Sequence, residues 1–147
     1  MAVRASREIL IEAPLEAILD ALADVPNMPS WSPVHTRAEV IDTYPDGRPF
    51  HVRATFRVIG LVDREVLEYH WGPDWVVWDA EPTSQQRALH VEYNLKRDYL
   101  DEATRVRFDI TIEPSAPVPS FLLRRGEKAV LRAATKGLRK RVLGVAG

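Results

Sequence analysis

Apolar and polar residues alternate along most of the chain between residues 34 and 112, and this alternation constrains the fold more than any other feature. In FHVRATFRV (50–58) the apolar side chains fall on even positions, whereas His51, Arg53 and Arg57 fall on odd ones. The segments RALHVEYNL (87–95) and TRVRFDITI (104–112) repeat the pattern. Because a period of two places alternate side chains on opposite faces of a strand, the pattern predicts antiparallel strands with one buried and one solvated face.

Helical spacing replaces this alternation near both ends of the chain. In APLEAILDALADV (13–25), Leu15, Leu19 and Leu22 lie on one face of a helix that Pro14 begins. The prolines in NMPSWSPV (27–34) leave room only for a turn or one short helical turn. From about residue 120 to 143, apolar or small residues recur every four positions, which predicts a long C-terminal helix.

The order of these elements predicts an α+β fold. A first strand is followed by two short helices, then by further strands to give about seven in total, and finally by the long helix. Each strand has one wet face, so the opposite face needs a cover. We therefore expect a curved antiparallel sheet that wraps around the C-terminal helix.

Composition limits the classes of protein that the chain can be. Its 147 residues suit one domain, 1–147, and 46% hydrophobic with 28% charged residues is typical of globular proteins. The formal net charge of −1 gives no general attraction to nucleic acid, and the absence of cysteine excludes disulfides and thiolate metal sites. No apolar run reaches the length of a signal peptide core or a transmembrane helix, so we expect a cytoplasmic protein.

The C-terminal helix carries small residues where a packed helix would present large ones. Gly126, Ala129, Ala133, Ala134 and Gly137 fall on its inward or flanking positions. Protein interiors are close-packed, so small residues opposite an aromatic sheet face indicate either a close backbone approach or a cavity. A glycine inside a helix costs about 1 kcal/mol relative to alanine, which indicates that a steric demand is being met.

Several segments together resemble one known superfamily. The segments APLEAILDALAD and MPSWSP, the DGR turn and PVPSFLLRR at the start of the last helix resemble the START/Bet v 1-like (SRPBCC) superfamily, and most closely the polyketide cyclase/dehydrase-like branch of actinobacteria. The resemblance runs from about Val3 to Leu143. It implies a helix-grip fold around an apolar cavity and no cofactor, and this fold hosts lipid carriers, cyclases and ribosome-associated proteins.

A cavity of this kind would have an aromatic lining. By the resemblance, Trp31 lies at one end of the sheet, where it either closes the mouth of a pocket or fills the end of the core. The remaining candidates combine apolar walls with a few polar tips, as small-molecule pockets do. The predicted ligand cavity consists of Trp31, Phe56, Leu67, Tyr69, Trp71, Trp78, Tyr93, Phe108, Leu122, Gly126, Val130 and Ala134.

Catalytic signals are sparse. The four histidines are interpreted as surface residues, and no metal-ligand spacing is present. Asp63 and Glu65 share the phase of the inward residues of their strand, so they either face the interior, where one could act as a general base, or lie in solvent at the strand's end. They are the acidic catalytic candidates, and an enzyme could instead use a cavity tyrosine such as Tyr69 or Tyr93.

The predicted function is binding or transport of a small hydrophobic molecule, such as a lipid, a polyketide or an isoprenoid. One alternative is an enzyme of the cyclase, dehydratase or isomerase type. Another is a ribosome- or RNA-associated regulator that acts through the basic face of the last helix. The remaining alternatives for that face are contact with an anionic lipid surface or with solvent alone. That face carries Arg124, Arg125, Lys128, Arg132, Lys136, Arg139 and Lys140.

Overall fold

The computed structural model describes residues 2–100 and 102–144. Seven strands and four α-helices follow one another along the chain, with a 3₁₀ turn before α2 and a π-helical turn between α3 and α4. Their bounds are β1 Val3–Ile11, α1 Leu15–Ala23, 3₁₀ Val25–Asn27, α2 Met28–Trp31, β2 His35–Thr43, β3 Pro49–Val58, β4 Leu61–Trp71, β5 Trp75–Ala80, β6 Gln86–Asp98, β7 Ala103–Pro114, α3 Ser120–Arg132, π turn Ala133–Gly137 and α4 Leu138–Leu143.

The seven strands form one curved antiparallel sheet in the order β1-β7-β6-β5-β4-β3-β2. Strands β2 to β7 are sequential neighbours, whereas β1 pairs with β7 and leaves β1 and β2 at the two edges. The two short helices carry the chain from one edge to the other. The predicted α+β architecture, with about seven strands and a long C-terminal helix, is confirmed.

Alternation along the strands sorts their side chains as the sequence predicts. On β6, Leu89, Val91, Tyr93 and Leu95 are buried, and the residues between them are more exposed. The buried faces of the strands form one core cluster with α1, α2 and the C-terminal helix. The sheet therefore supplies one apolar inner face, and the helices cover it.

The start of strand β4 decides whether its acidic residues, Asp63 and Glu65, lie inside the strand or in solvent at its end. The strand starts at Leu61, directly after a two-residue turn in which Ile59 and Gly60 have φ values of 49° and 81°. Asp63 and Glu65 therefore lie inside the strand, on its inward face. The alternative that both acids lie in solvent at the strand's end is wrong.

The C-terminal helix is continuous but not uniformly α-helical. Its middle segment, Ala133–Gly137, is a π turn, and the Thr135 hydroxyl donates a hydrogen bond of 2.7 Å to the Leu131 carbonyl there. The Tyr93 hydroxyl on β6 donates a hydrogen bond of 2.8 Å to the Ala134 carbonyl. This bond joins the centre of the sheet to the π turn and fixes the height of the helix above it.

Candidate functional site

A small inner cavity lies between the centre of the sheet and the C-terminal helix. Its volume is about 30 Å³, enough for about one or two water molecules. The aromatic side chains of the sheet face therefore close over most of the space that the small helix residues leave. The predicted cavity residues that line it are Trp31, Phe56, Trp78, Tyr93, Phe108, Val130 and Ala134.

A larger outer cavity lies between the β3–β4 turn and the first turns of α3. Its volume is about 120 Å³, and its walls are mostly aliphatic, with Val58, Ile59 and Leu61 on the sheet side and Leu123 and Gly126 on the helix side. Leu61, one of these lining residues, is also exposed to solvent. The outer cavity is therefore an apolar recess with an exposed apolar side chain in its wall.

Three side chains separate the outer cavity from the inner one. Phe56, Ile110 and Val130 line both cavities, and we call this group the partition. Two of them are buried residues of the sheet, and Val130 comes from α3. The two cavities thus lie along one line from the β3–β4 turn toward α2, and the partition interrupts it. We call this line the path.

The turn at the rim of the outer cavity holds a strained residue. Ile59 has a φ of 49°, a region that β-branched residues rarely adopt. Its Cγ2 and Cδ1 atoms lie 3.7 and 3.6 Å from the position that a Cβ atom on residue 126 would occupy. The strained turn therefore holds an aliphatic side chain across from α3 at the rim.

Two acidic side chains reach the path on either side of the partition. Asp63 lines the outer cavity, and Glu65 lines the inner one. They are 7% and 2% exposed, and Asp63 Oδ2 and Glu65 Oε2 have no hydrogen-bond partner among the described residues. Burial, a hydrogen bond to Asp63 and the charge of Asp63 raise the pKa of Glu65 to about 9. At neutral pH Glu65 therefore holds a proton.

Four of the predicted cavity residues do not line these two cavities. Leu67 and Tyr69 are buried in the core, and the Tyr69 ring stacks on Trp78 with centroids 4.6 Å apart. The Trp71 indole donates a hydrogen bond of 2.8 Å to the Pro49 carbonyl. Leu122 is partly buried, but the helix turns its neighbour Leu123 toward the outer cavity.

The two glycines of the C-terminal helix serve different purposes. A Cβ atom on Gly126 would make ordinary contacts of 3.5 Å or more and would face the outer cavity. A Cβ atom on Gly137 would lie 2.3 Å from the Trp31 carbonyl oxygen. Both explanations that the sequence left open therefore apply, a cavity at Gly126 and a close backbone approach at Gly137.

His35 is a site residue that the sequence analysis missed. Its ring lines the inner cavity together with Glu65, and its Nδ1 is 2.8 Å from the Ser32 hydroxyl. Burial lowers its pKa to about 4, so the ring is neutral at pH 7. The interpretation of His35 as a surface residue is wrong, whereas His51, His70 and His90 do lie among carboxylates on the outer face.

Trp31 separates the inner cavity from the protein surface. Its side chain is 9% exposed and lines both the inner cavity and a surface groove of about 730 Å³. Its indole nitrogen is buried and has no hydrogen-bond partner among the residues described. A role for Trp31 in closing the site stays a prediction.

The surface groove beyond Trp31 is basic. Arg132, Lys136, Lys140 and Arg141 line it, and Arg141 is 3.0 Å from Asp24. A nucleic acid, ribosomal or anionic lipid partner for this face stays a prediction.

Within the described ranges no group of three or more histidine or acidic residues is placed to hold a metal ion. In the same ranges no helix is long and apolar enough to cross a membrane.

Comparison with solved structures identifies the fold. The chain superposes on a START superfamily protein from Mycobacterium smegmatis with a TM-score of 0.84, at 18% identity over 97% of this chain and 99% of that one. The ZhuI aromatase/cyclase from Streptomyces sp. R1128 gives a TM-score of 0.79 at 13% identity, covering 97% and 94%. The protein TTHA0849 from Thermus thermophilus gives 0.75 at 22% identity, covering 100% of both chains.

Comparison of the sequence with known families gives a match over nearly the whole chain. No curated protein matches the sequence. The model of the family described as polyketide cyclase/dehydrase and lipid transport, however, matches residues 2–144. The match includes the helix-grip elements, both cavities and the acidic residues between them. The chain therefore belongs to the polyketide cyclase/dehydrase and lipid transport family.

Proposed function

We propose that the protein binds a small hydrophobic molecule non-covalently in the path formed by the outer cavity, the partition and the inner cavity. The observation that carries this proposal is the outer cavity, an aliphatic recess of about 120 Å³ that leads toward the aromatic core. A close-packed interior leaves few voids of this size, and small-molecule sites are concave and largely apolar. The aliphatic, strained turn at its rim supports this as the side where a ligand enters.

A variant that fills the outer cavity tests the proposal. Gly126→Leu would extend a side chain from α3 into the recess, because contacts at this position begin only at 3.5 Å. We expect the variant to stay folded and to bind 1-hexanol, a neutral molecule small enough for the recess, about tenfold more weakly than the wild type, measured by isothermal titration calorimetry. A folded Gly126→Leu protein with wild-type affinity would contradict the proposal.

A control variant and an identification of the natural ligand complete the test. Gly126→Ala changes the same position but adds only one methyl group, and we expect it to keep most of the affinity. Native mass spectrometry of the protein purified from its own host would then identify the molecule that it carries, such as a lipid, a polyketide or an isoprenoid.

A second candidate function is acid–base chemistry on the bound molecule, of the cyclase or dehydratase type. The observation that favours it is the protonated Glu65 beside the charge of Asp63, since a carboxyl group with a raised pKa can donate or accept a proton near neutral pH. Time-resolved liquid chromatography with mass spectrometry of the extracted ligand, incubated with the protein, separates the two functions. Binding alone leaves the ligand unchanged, whereas dehydration lowers its mass by one water and cyclisation changes its retention time at constant mass.

A further inference from the structure

Three buried oxygen acceptors along the ligand path have no donor. They are Asp63 Oδ2, Glu65 Oε2 and Gln86 Oε1, and none has a hydrogen-bond partner among the residues that the structure describes. The three residues are 7%, 2% and 1% exposed. A buried polar atom without a partner costs free energy, so three of them together indicate that a group outside the chain completes the site.

The assignment of Gln86 as an acceptor rests on its other hydrogen bond. Its amide nitrogen donates to the Glu81 carbonyl at 3.0 Å, which leaves the amide oxygen toward the remaining space. Gln86 and Asp63 both line the outer cavity, while Glu65 lines the inner cavity just beyond the partition. The acceptors therefore come from two strands, β4 and β6. Asp63 links them, because it shares the outer cavity with Gln86 and a hydrogen bond with Glu65.

The charge at this point is negative, and no basic side chain offsets it. Asp63 and Glu65 are hydrogen-bonded to each other, so the proton of Glu65 lies in that bond and its unpaired Oε2 is a carbonyl acceptor. Neither residue forms an ion pair with a described residue. The described residues that line the outer cavity include no lysine, arginine or histidine, and the nearest basic group of the inner cavity, His35, is neutral. A buried carboxylate is normally paired with a cation. Such a cation is missing here from the protein itself.

We propose that Asp63, Glu65 and Gln86 form a binding site for a primary ammonium group on the hydrophobic ligand. An ammonium group has three N–H donors and one positive charge, which match three acceptors and an unpaired carboxylate. Its hydrocarbon part would occupy the aliphatic outer cavity. This inference rests on the proposed binding function, and it specifies the chemical class of the ligand as an amphiphilic amine.

Matched probes test this assignment. Phenethylamine, 2-phenylethanol and 3-phenylpropionate present similar hydrocarbon groups with a cation, a neutral hydroxyl and an anion. We expect the amine to bind the wild type at least about tenfold more tightly than the alcohol, because hydrogen bonds between charged groups are the stronger ones, and we expect the carboxylate not to bind. Isothermal titration calorimetry at pH 7 measures all three affinities.

Two isosteric variants localise the effect. Asp63→Asn should remove about tenfold of amine affinity and leave the affinity for the alcohol unchanged. Glu68→Gln makes the matching change on the outer face of the same strand, where Glu68 contacts His70, and should leave both affinities unchanged. Thermal unfolding of each variant verifies that it is folded.

The outcomes separate this inference from the proposed function. Equal binding of amine and alcohol, or absence of amine binding in a protein that binds 1-hexanol, overturns the ammonium site and leaves the binding function standing. Retention of the amine preference in folded Asp63→Asn also overturns it. Failure of the wild type to bind 1-hexanol and all three probes contradicts both.

Discussion

At the scale of single residues, the protonation of Glu65 makes the free energy of unfolding depend on pH. The pKa of Glu65 is about 9 in the folded protein, against an ordinary value of 4.5, mainly because burial disfavours the charged form. Between these two values the folded state binds one proton more than the unfolded state. The stabilisation is fully present below pH 4.5 and is lost as the pH rises through 9.

Substitution of Glu65 should therefore flatten the pH dependence of stability. Between about pH 5 and 8 the Glu65 proton makes the free energy of unfolding of the wild type fall by up to about 1.4 kcal/mol per pH unit. Glu65→Gln is neutral throughout and should lose this slope. Its free energy of unfolding should therefore increase relative to that of the wild type as the pH rises. Urea unfolding at pH 5, 6.5 and 8 measures both proteins. Parallel profiles would contradict the raised pKa, and Glu39→Gln, at an exposed position, is the control.

Two residues show where the alternating pattern predicts the site and where it fails. The inward phase of Asp63 and Glu65 follows from period two, but the start of their strand does not, because Ile59 at a positive φ is not a recognisable turn residue. His35 follows the proline-rich turn, so its assignment to the surface rests only on the usual exposure of histidine, and a register shift between His35 and Arg37 interrupts the pairing of β2 with β3. A bulge changes the face that a residue occupies, and the sequence carries no clear sign of it.

At the scale of elements, the two glycines of the C-terminal helix face different neighbours, Gly126 the β3–β4 turn and Gly137 the end of α2. Its four-residue spacing of small side chains predicts either a cavity or a close backbone approach opposite the helix. The spacing could not tell a void from a backbone contact, because that depends on the β3–β4 turn and on α2, which are distant in sequence. The π turn at Ala133–Gly137 lies where the helix passes the Trp31 carbonyl.

The two glycines should respond in opposite ways to the same substitution. Gly126→Ala adds a methyl group in ordinary contact and improves helix propensity, so we expect the free energy of unfolding to rise by about 0.5–1 kcal/mol. Gly137→Ala would place a methyl group 2.3 Å from the Trp31 carbonyl oxygen, and we expect a loss of about 1–3 kcal/mol. Urea denaturation midpoints measure both. A stabilised Gly137→Ala variant would contradict the close approach.

At the scale of the whole molecule, the family fold is present with an interior that is largely filled. The order of strands and helices follows from periodicity, and the resemblance of the sequence predicts the helix grip. The size of the cavities does not follow from either, because it depends on how the rings of Tyr69, Trp78, Tyr93 and Phe108 pack against one another across four strands. The sequence therefore predicts the wall residues better than the space between them.

The partition sets the length of ligand that the path accepts. Val130 is its one contribution from α3, so Val130→Ala should join the two cavities at a cost of about 1 kcal/mol in stability. Each methylene group that gains burial improves affinity by about fourfold. We expect the affinity for 1-decanol to increase by several-fold and that for 1-hexanol to stay unchanged, because only the longer chain extends past the outer cavity. Calorimetric titration measures both alcohols.

Val142→Ala is the matched control for this experiment. It makes the same change in α4, where Val142 packs against the core and does not line either cavity. Its stability should fall by a similar amount, while its affinities for both alcohols should equal those of the wild type. An equal gain for both alcohols in Val130→Ala would mean that the partition does not limit chain length. A decanol gain in Val142→Ala would assign the effect to general loosening of the helix, since that side chain is outside the path.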